Sequence, residues 1–206
     1  MAPTSERNGP SSKGEATRAH ILQHALGLAA RVGLEGISIG ELAQELGLSK
    51  SGLFAHFGSK EQLQLDVLDL AAEMFRSSVF EPGLHAQRGE AKVTRLFENL
   101  LAWVDDRGHP GGCIFLAGAF EWDDVPGPVR QRVVEWFEKF DAAAARTVSR
   151  VIDSGAFRAD LDPELFGTEL HGIILKYHLE LRLLRNEKAA SLARRAFERL
   201  LVDARR

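Results

Sequence analysis

The stretch from Gly36 to Lys60 constrains this chain more than any other, because its punctuation leaves little choice of local structure. Ser38 is a good helix N-cap and Glu41 follows three residues later, the capping-box arrangement. Leu42, Ala43 and Leu46 then supply one apolar face. Gly47 ends that helix by accepting a left-handed backbone, and Ser49 caps a second helix expected from about Lys50 to Phe57. On this second helix Leu53 and Phe57 sit one turn apart and face inward, which leaves Lys50, Ser51, Gly52, Phe54 and His56 pointing elsewhere. Two short helices so spaced form a helix-turn-helix, a motif that also occurs as plain scaffold.

Residues 47 to 63, Gly-Leu-Ser-Lys-Ser-Gly-Leu-Phe-Ala-His-Phe-Gly-Ser-Lys-Glu-Gln-Leu, resemble the recognition segment of TetR-family transcriptional regulators in both residue type and spacing. The likeness reaches back through a helix beginning near Ala16 and forward past Ser59, covering roughly the first third of the chain. It implies an all-α protein in which an arm (1–14) precedes a three-helix DNA-binding domain (15–60) and a helical ligand-binding and dimerisation domain (61–206). It further implies a homodimer on a palindromic double-stranded DNA operator, released by a small-molecule inducer, with no cofactor, no metal and no catalysis. By position in the motif, Ser38, Ser49, His56 and above all Lys60 would approach phosphates. Lys50, Ser51 and Gly52 would face base edges, with Lys50 able to donate to guanine O6 or N7.

Two positions depart from the family pattern. Phe54 stands where tyrosine is usual, so a phenolic hydrogen bond to phosphate is replaced by an apolar contact. Gly40 stands where many members carry a side chain that reaches the DNA. Both departures point to modest affinity, with Arg7, Lys13 and Arg18 as electrostatic helpers.

The balance of charge matters here. A net charge of −3 on 206 residues excludes a generally basic nucleic-acid binder, so any DNA contact must be a local cluster. The single cysteine, Cys113, excludes an internal disulfide framework and fits a reducing cytoplasm. Met1 to Gly14 reads as a flexible polar arm and not as a signal peptide, and no apolar run is long enough to cross a bilayer.

Elsewhere the apolar residues recur at three- and four-residue steps. Ile21, Leu22, Ala25, Leu28, Ala29 and Val32 define a first helix closed by Gly33; its His20 and His24 lie a turn apart without a third metal ligand nearby, and read as helix surface. Ser59 caps a bridging helix expected to run to about Val79, where Glu81-Pro-Gly breaks it and residues 81–90 form a polar connector. Further helices are expected from Glu90 to Asp106, from about Val129 to Ser154, from Asp162-Pro-Glu to Leu184, and from Ala189 onward. No strand-like alternation persists, so the class is all-α with about nine helices. The last two helices make an antiparallel hairpin with broad apolar stripes, suited to pairing with a second copy as a four-helix bundle.

A sensing pocket is expected among the C-terminal helices. Its aromatic candidates are Phe97, Trp103, Phe115, Phe120, Trp136, Phe137, Phe140 and Tyr177, and its polar ones Glu121, His171 and His178. This composition suggests an apolar or aromatic, weakly charged inducer. Cys113 is read as a small buried hydrophobe, the commoner state of a lone cysteine, with oxidant sensing as the alternative. Two other classes stay open on sequence: a helical adaptor that binds protein, and an enzyme using Cys113 with His109 or a distant histidine.

Overall fold

The computed structural model describes residues 13–84, 88–105 and 112–205, and among them every regular element is helical. In chain order these are α1 (Lys13–Val32), α2 (Ile39–Glu45), α3 (Lys50–Phe57), α4 (Lys60–Phe75), the one-turn α5 (Glu81–Leu84), α6 (Glu90–Asp105), α7 (Ile114–Glu121), α8 (Pro128–Asp153), α9 (Pro163–His178) and α10 (Ala189–Arg205). Setting aside the single turn α5, nine helices stand among the described residues, in line with the expected number. Two π-helical turns, Arg76–Phe80 and Leu179–Leu183, extend α4 and α9.

The caps anticipated from sequence form. The Ser38 hydroxyl accepts from the Glu41 N–H at 3.3 Å, Ser49 from Gly52 at 3.0 Å, and Ser59 from Gln62 at 3.0 Å. The Asp162 carboxylate accepts from both Glu164 and Leu165 N–H groups. Each such cap satisfies a backbone donor the helix cannot, worth about 1 kcal/mol. Gly47 takes φ +65°, and past it the Leu48 N–H returns to the Ala43 carbonyl at 2.8 Å, so the chain turns sharply between α2 and α3.

One apolar core runs the length of the molecule. Ile21, Ala25 and Ala29 of α1 are buried with Leu63, Val67 and Ala71 of α4, while Leu53 and Phe57 hold α3 to the same core. The longest helix, α8, packs on α4, α6, α7 and α9, and α9 pairs with α10. Bidentate pairs from Arg194 to Glu98 and from Arg205 to Glu90 fasten α10 to α6.

Two boundaries differ from the sequence expectation. The α1 helix starts at Lys13, so the last two residues assigned to the arm are helical; residues 1–12, with Arg7, lie outside the described residues. Glu81-Pro-Gly does not break the bridging helix, which runs through the π turn into α5 as far as Leu84. The α6 helix is described as far as Asp105, and Asp106 with the Arg107-Gly-His-Pro sequence expected to stop it lies outside the described residues. No described helix is long and apolar enough to cross a membrane.

Candidate nucleic-acid interface and ligand groove

The outward face of α3 is built by what its inward face buries. Leu53 and Phe57 are buried, and as a result Lys50, Ser51 and Phe54 are exposed on the opposite side, Phe54 with 45% of its surface open. Ser49 uses its oxygen lone pairs as the cap and lies 3.1 Å from the Ser51 hydroxyl.

Gly40 has a positive structural role. A Cβ there would stand 2.8 Å from the Cε of Lys50 and 3.2 Å from its Nζ, so the glycine lets the Lys50 side chain lie across the start of α2. The missing side chain at 40 and the position of the Lys50 ammonium are therefore one feature.

Lys60 is more committed than its motif position implies. Its Nζ donates to the Glu35 carbonyl at 2.5 Å and pairs with the Glu35 carboxylate at 3.0 Å. That carboxylate is held below the usual range by hydrogen bonds from Lys60 and Gln64. Arg18, expected as a helper on DNA, is also spent within the fold: it binds Asp66 at 2.5 Å and covers the Phe57 ring at 5.0 Å. His20 and His24 pack ring against ring at 5.5 Å, and no group of three metal-ligating residues occurs among the described residues.

The Glu35 junction connects the two halves of the molecule. Glu121, at the end of α7, accepts from the Leu34 N–H at 2.9 Å and from the Glu35 N–H at 2.7 Å. Gly33, at φ +81°, makes room for it, since a Cβ would lie 2.7 Å from the Glu121 carboxylate. Gln64 of α4 is buried and donates to the Leu34 carbonyl at 2.9 Å. Farther along, Arg132 of α8 binds Asp69 of α4. Glu121 was expected in the ligand pocket; the structure corrects this, because its carboxylate is occupied by the loop between α1 and α2.

The aromatic candidates divide. Trp103, Phe115, Trp136 and Phe140 gather around Phe75, with centroid distances of 5.2 Å to Trp103 and 5.0 Å to Trp136. Trp136 stacks on Phe115 at 3.9 Å, and Phe137 stacks on His171 at 5.5 Å. Phe75, Phe80, Trp136 and Phe140 line a groove of about 500 Å³ between α4 and α8. Phe75 and Phe80 were missed by sequence, the first because it reads as core of α4 and the second because it lies beyond the expected helix end.

Four other candidates belong elsewhere. Phe97 stacks on Phe197 at 4.0 Å and is core between α6 and α10. Phe120 is 66% exposed, since the short α7 turns it away from the core. Tyr177 is buried beside a different groove, between α9 and α10. His178 abuts Gly112, where a Cβ would come within 2.8 Å of its ring. Burial pushes the pKa of both histidines down; Asp141, 3.7 Å from His171, opposes the effect there, and the Arg182 charge adds to it at His178.

Cys113 is buried, and that burial pushes its thiol up, with the Trp103 indole and the Phe115 and Leu116 backbone offsetting only part of the effect. A buried protonated thiol is a poor nucleophile. His109, its suggested catalytic partner, lies outside the described residues.

A capped helix-turn-helix with a solvent-facing second helix, tied by α4 and α7 to a helical half that holds an aromatic groove, defines a DNA-binding regulator with a separate sensing region. Comparison with known proteins agrees. Residues 21–67 match the family model described as "Bacterial regulatory proteins, tetR family", and residues 89–197 match "Tetracyclin repressor-like, C-terminal domain". The chain is 26% identical over 159 residues to the HTH-type transcriptional repressor AcnR of Corynebacterium glutamicum, covering 77% of this chain and 78% of that protein. Among solved structures it is similar to a TetR transcriptional regulator of Chloroflexus aurantiacus, with TM-score 0.82, 26% identity and coverage of 92% and 94% of the two chains. It also superposes on AibR in complex with isovaleryl coenzyme A and operator DNA, with TM-score 0.66, 20% identity and coverage of 85% and 95%. The chain belongs to the TetR family of transcriptional regulators.

Proposed function

We propose that this protein is a cytoplasmic repressor that binds a palindromic operator as a homodimer and leaves it when a small molecule occupies the C-terminal half. The observation that carries the reading is the exposed face of α3, where Lys50, Ser51, Gly52 and Phe54 stand clear of the buried Leu53 and Phe57. Residues 15–60 act as the DNA-binding unit and 61–206 as the sensing and dimerising unit. Lys50, Ser51 and Gly52 face base edges, Phe54 makes an apolar contact such as with a thymine methyl, and Ser38, Ser49, His56 and Lys60 approach phosphates. Lys60 then contacts phosphate only by sharing or leaving Glu35.

Dimerisation is supported by the outer side of the α9–α10 hairpin. A groove of about 710 Å³ there is lined by Gly172, Ile173, Leu192 and Ala196, and Leu165, Leu184 and Leu192 are exposed. A second copy of the hairpin would cover this surface, and the resulting twofold axis would place two α3 helices on successive major grooves. Ligand release requires that the inducer bind the DNA-incompetent arrangement more tightly than the competent one. That AcnR is a repressor, and that AibR forms complexes with isovaleryl coenzyme A and operator DNA, supports the same assignment here.

Selection of bound duplexes from a random library by the purified protein tests the reading. Recovery of a two-half-site palindrome is expected. Recovery of sequence-independent, salt-sensitive binding alone, also after the protein has been unfolded and refolded to strip any carried ligand, would overturn it.

A further inference from the structure

We propose that the effector is an amphiphile with an anionic head group, lying between α4 and α8 with its apolar body on the aromatic floor and its head at Arg146 and Arg150. This deepens the reading of the protein as a ligand-released regulator and rests on it.

The charge around the groove is not balanced. Its two acids are already spent, Asp69 on Arg132 and Glu73 on Arg76, and Arg76 is itself shared between Glu73 and Glu81. Against these, α8 contributes Lys139, Arg146 and Arg150 to the lining, and among the described residues the side chains of these three enter no ion pair or hydrogen bond. They recur at helical spacing with Ala143 and Thr147, so all five share one face of α8. A row of uncompensated cations beside an apolar floor favours a ligand that is apolar at one end and negative at the other. A quaternary ammonium would find the aromatic faces it needs, but also three positive charges with no counter-charge.

The arrangement is also polarised along its length. Phe75, Trp136 and Phe140 gather the aromatic surface at one end, where Lys139 also lies, while small Ala143 and half-buried Thr147 lead past Arg146 to Arg150, so two of the three cations stand beyond the rings. Phe140 and Arg150 are ten residues apart on α8, a rise of roughly 15 Å, comparable with an extended medium-chain acyl group. The π turn Arg76–Phe80 completes the floor. In a regular α-helix Phe80 would point roughly 140° away from Phe75, whereas here the two rings lie 5.8 Å apart and Phe80 reaches Phe140 at 6.1 Å. The occupant would press on α4, whose first turns hold the Glu35 junction through Lys60 and Gln64.

The probes are three twelve-carbon amphiphiles below their micelle concentrations: dodecanoate, dodecanol and dodecyltrimethylammonium, titrated calorimetrically into the full-length protein without DNA. Dodecanoate is expected to bind about tenfold or more tighter than dodecanol, and the ammonium most weakly. The Arg146→Gln, Arg150→Gln double variant, at exposed positions that leave folding intact, should lose about tenfold for dodecanoate and almost nothing for dodecanol. Equal binding of acid and alcohol, preference for the ammonium, or an unaltered double variant would each overturn the head-group assignment. Because no DNA is present, a failed operator selection sinks the regulator reading without touching this result. Dodecanoate that binds with the expected selectivity yet leaves a selected operator occupied would overturn its role as effector class.

Discussion

Gly40 and Lys50 show how one absent side chain sets another. With no Cβ at position 40, the Lys50 chain lies over the start of α2, with its ammonium beside the α3 face. Gly40→Ala places a methyl group 2.8 Å from Lys50 Cε, and because that atom is the far end of a flexible chain the lysine moves and the helix does not. Alanine is also the better helix former by about 1 kcal/mol. The expected result is thermal stability equal to or above that of wild type, together with an altered base preference at the position Lys50 reads. An unchanged preference in a repeated library selection would show that Lys50 reads no base. His171 gives a second single-residue expectation. Burial against Phe137 and Phe140 of α8 lowers its folded pKa below its unfolded value near 6.5, so the protonated form is disfavoured by folding. Its contribution is fully present above pH 6.5 and is lost as pH falls through the lowered folded value. His178 shifts in the same direction, so His171→Phe should reduce the fall in Tm between neutral pH and pH 5 without abolishing it. An identical pH profile for the variant would refute the assignment.

At the scale of elements, the coupling between the two halves rests on the end of one short helix. The Glu121 carboxylate is the acceptor for two consecutive N–H groups of the α1–α2 loop, and Gly33 is shaped around it. Glu121→Ala strands the buried Leu34 N–H, a loss of about 2 kcal/mol. It also cuts the contact by which movement of α7 reaches the loop before α2. Urea unfolding is expected to show the destabilisation, and operator release to require a higher inducer concentration although operator binding persists. Full-strength induction in this variant would mean that coupling runs through α4 alone, by way of Gln64 and the Asp69–Arg132 pair.

At the scale of the molecule, the surface proposed to pair with a second copy is the outer side of α9 and α10. Leu192→Glu with Ala196→Glu sets two carboxylates on the wall of that groove, where a second copy would bury them at a cost neither subunit offsets. Sedimentation should show a monomer with wild-type helicity. Operator affinity should fall by about two orders of magnitude or more, since each half-site is then bound alone. A double variant that sediments as a dimer would move the interface elsewhere.

The helix-turn-helix was legible in residues 36–60 because everything that builds it is local: caps three residues from their partners, a glycine where the backbone reverses, and two inward side chains one turn apart. The same short-range chemistry exposed the all-α class and the α9–α10 hairpin. The sensing region was only half legible, since an aromatic stripe announces burial but not what it is buried against. Phe97 and Trp136 carry the same signal in sequence, yet one stacks on Phe197 in the core and the other lines a groove. The partners of Glu121, Lys60 and Arg18 at Leu34, Glu35 and Asp66 were not legible, because they are fixed by packing of helices distant along the chain. The position of Phe80 depended on a π turn that no residue pattern marked. Sequence alone therefore determined the elements and the outward face of α3, both set by neighbours within a turn or two. Tertiary structure alone decided which charges are spent and which stay free, because that depends on what each side chain meets across the fold.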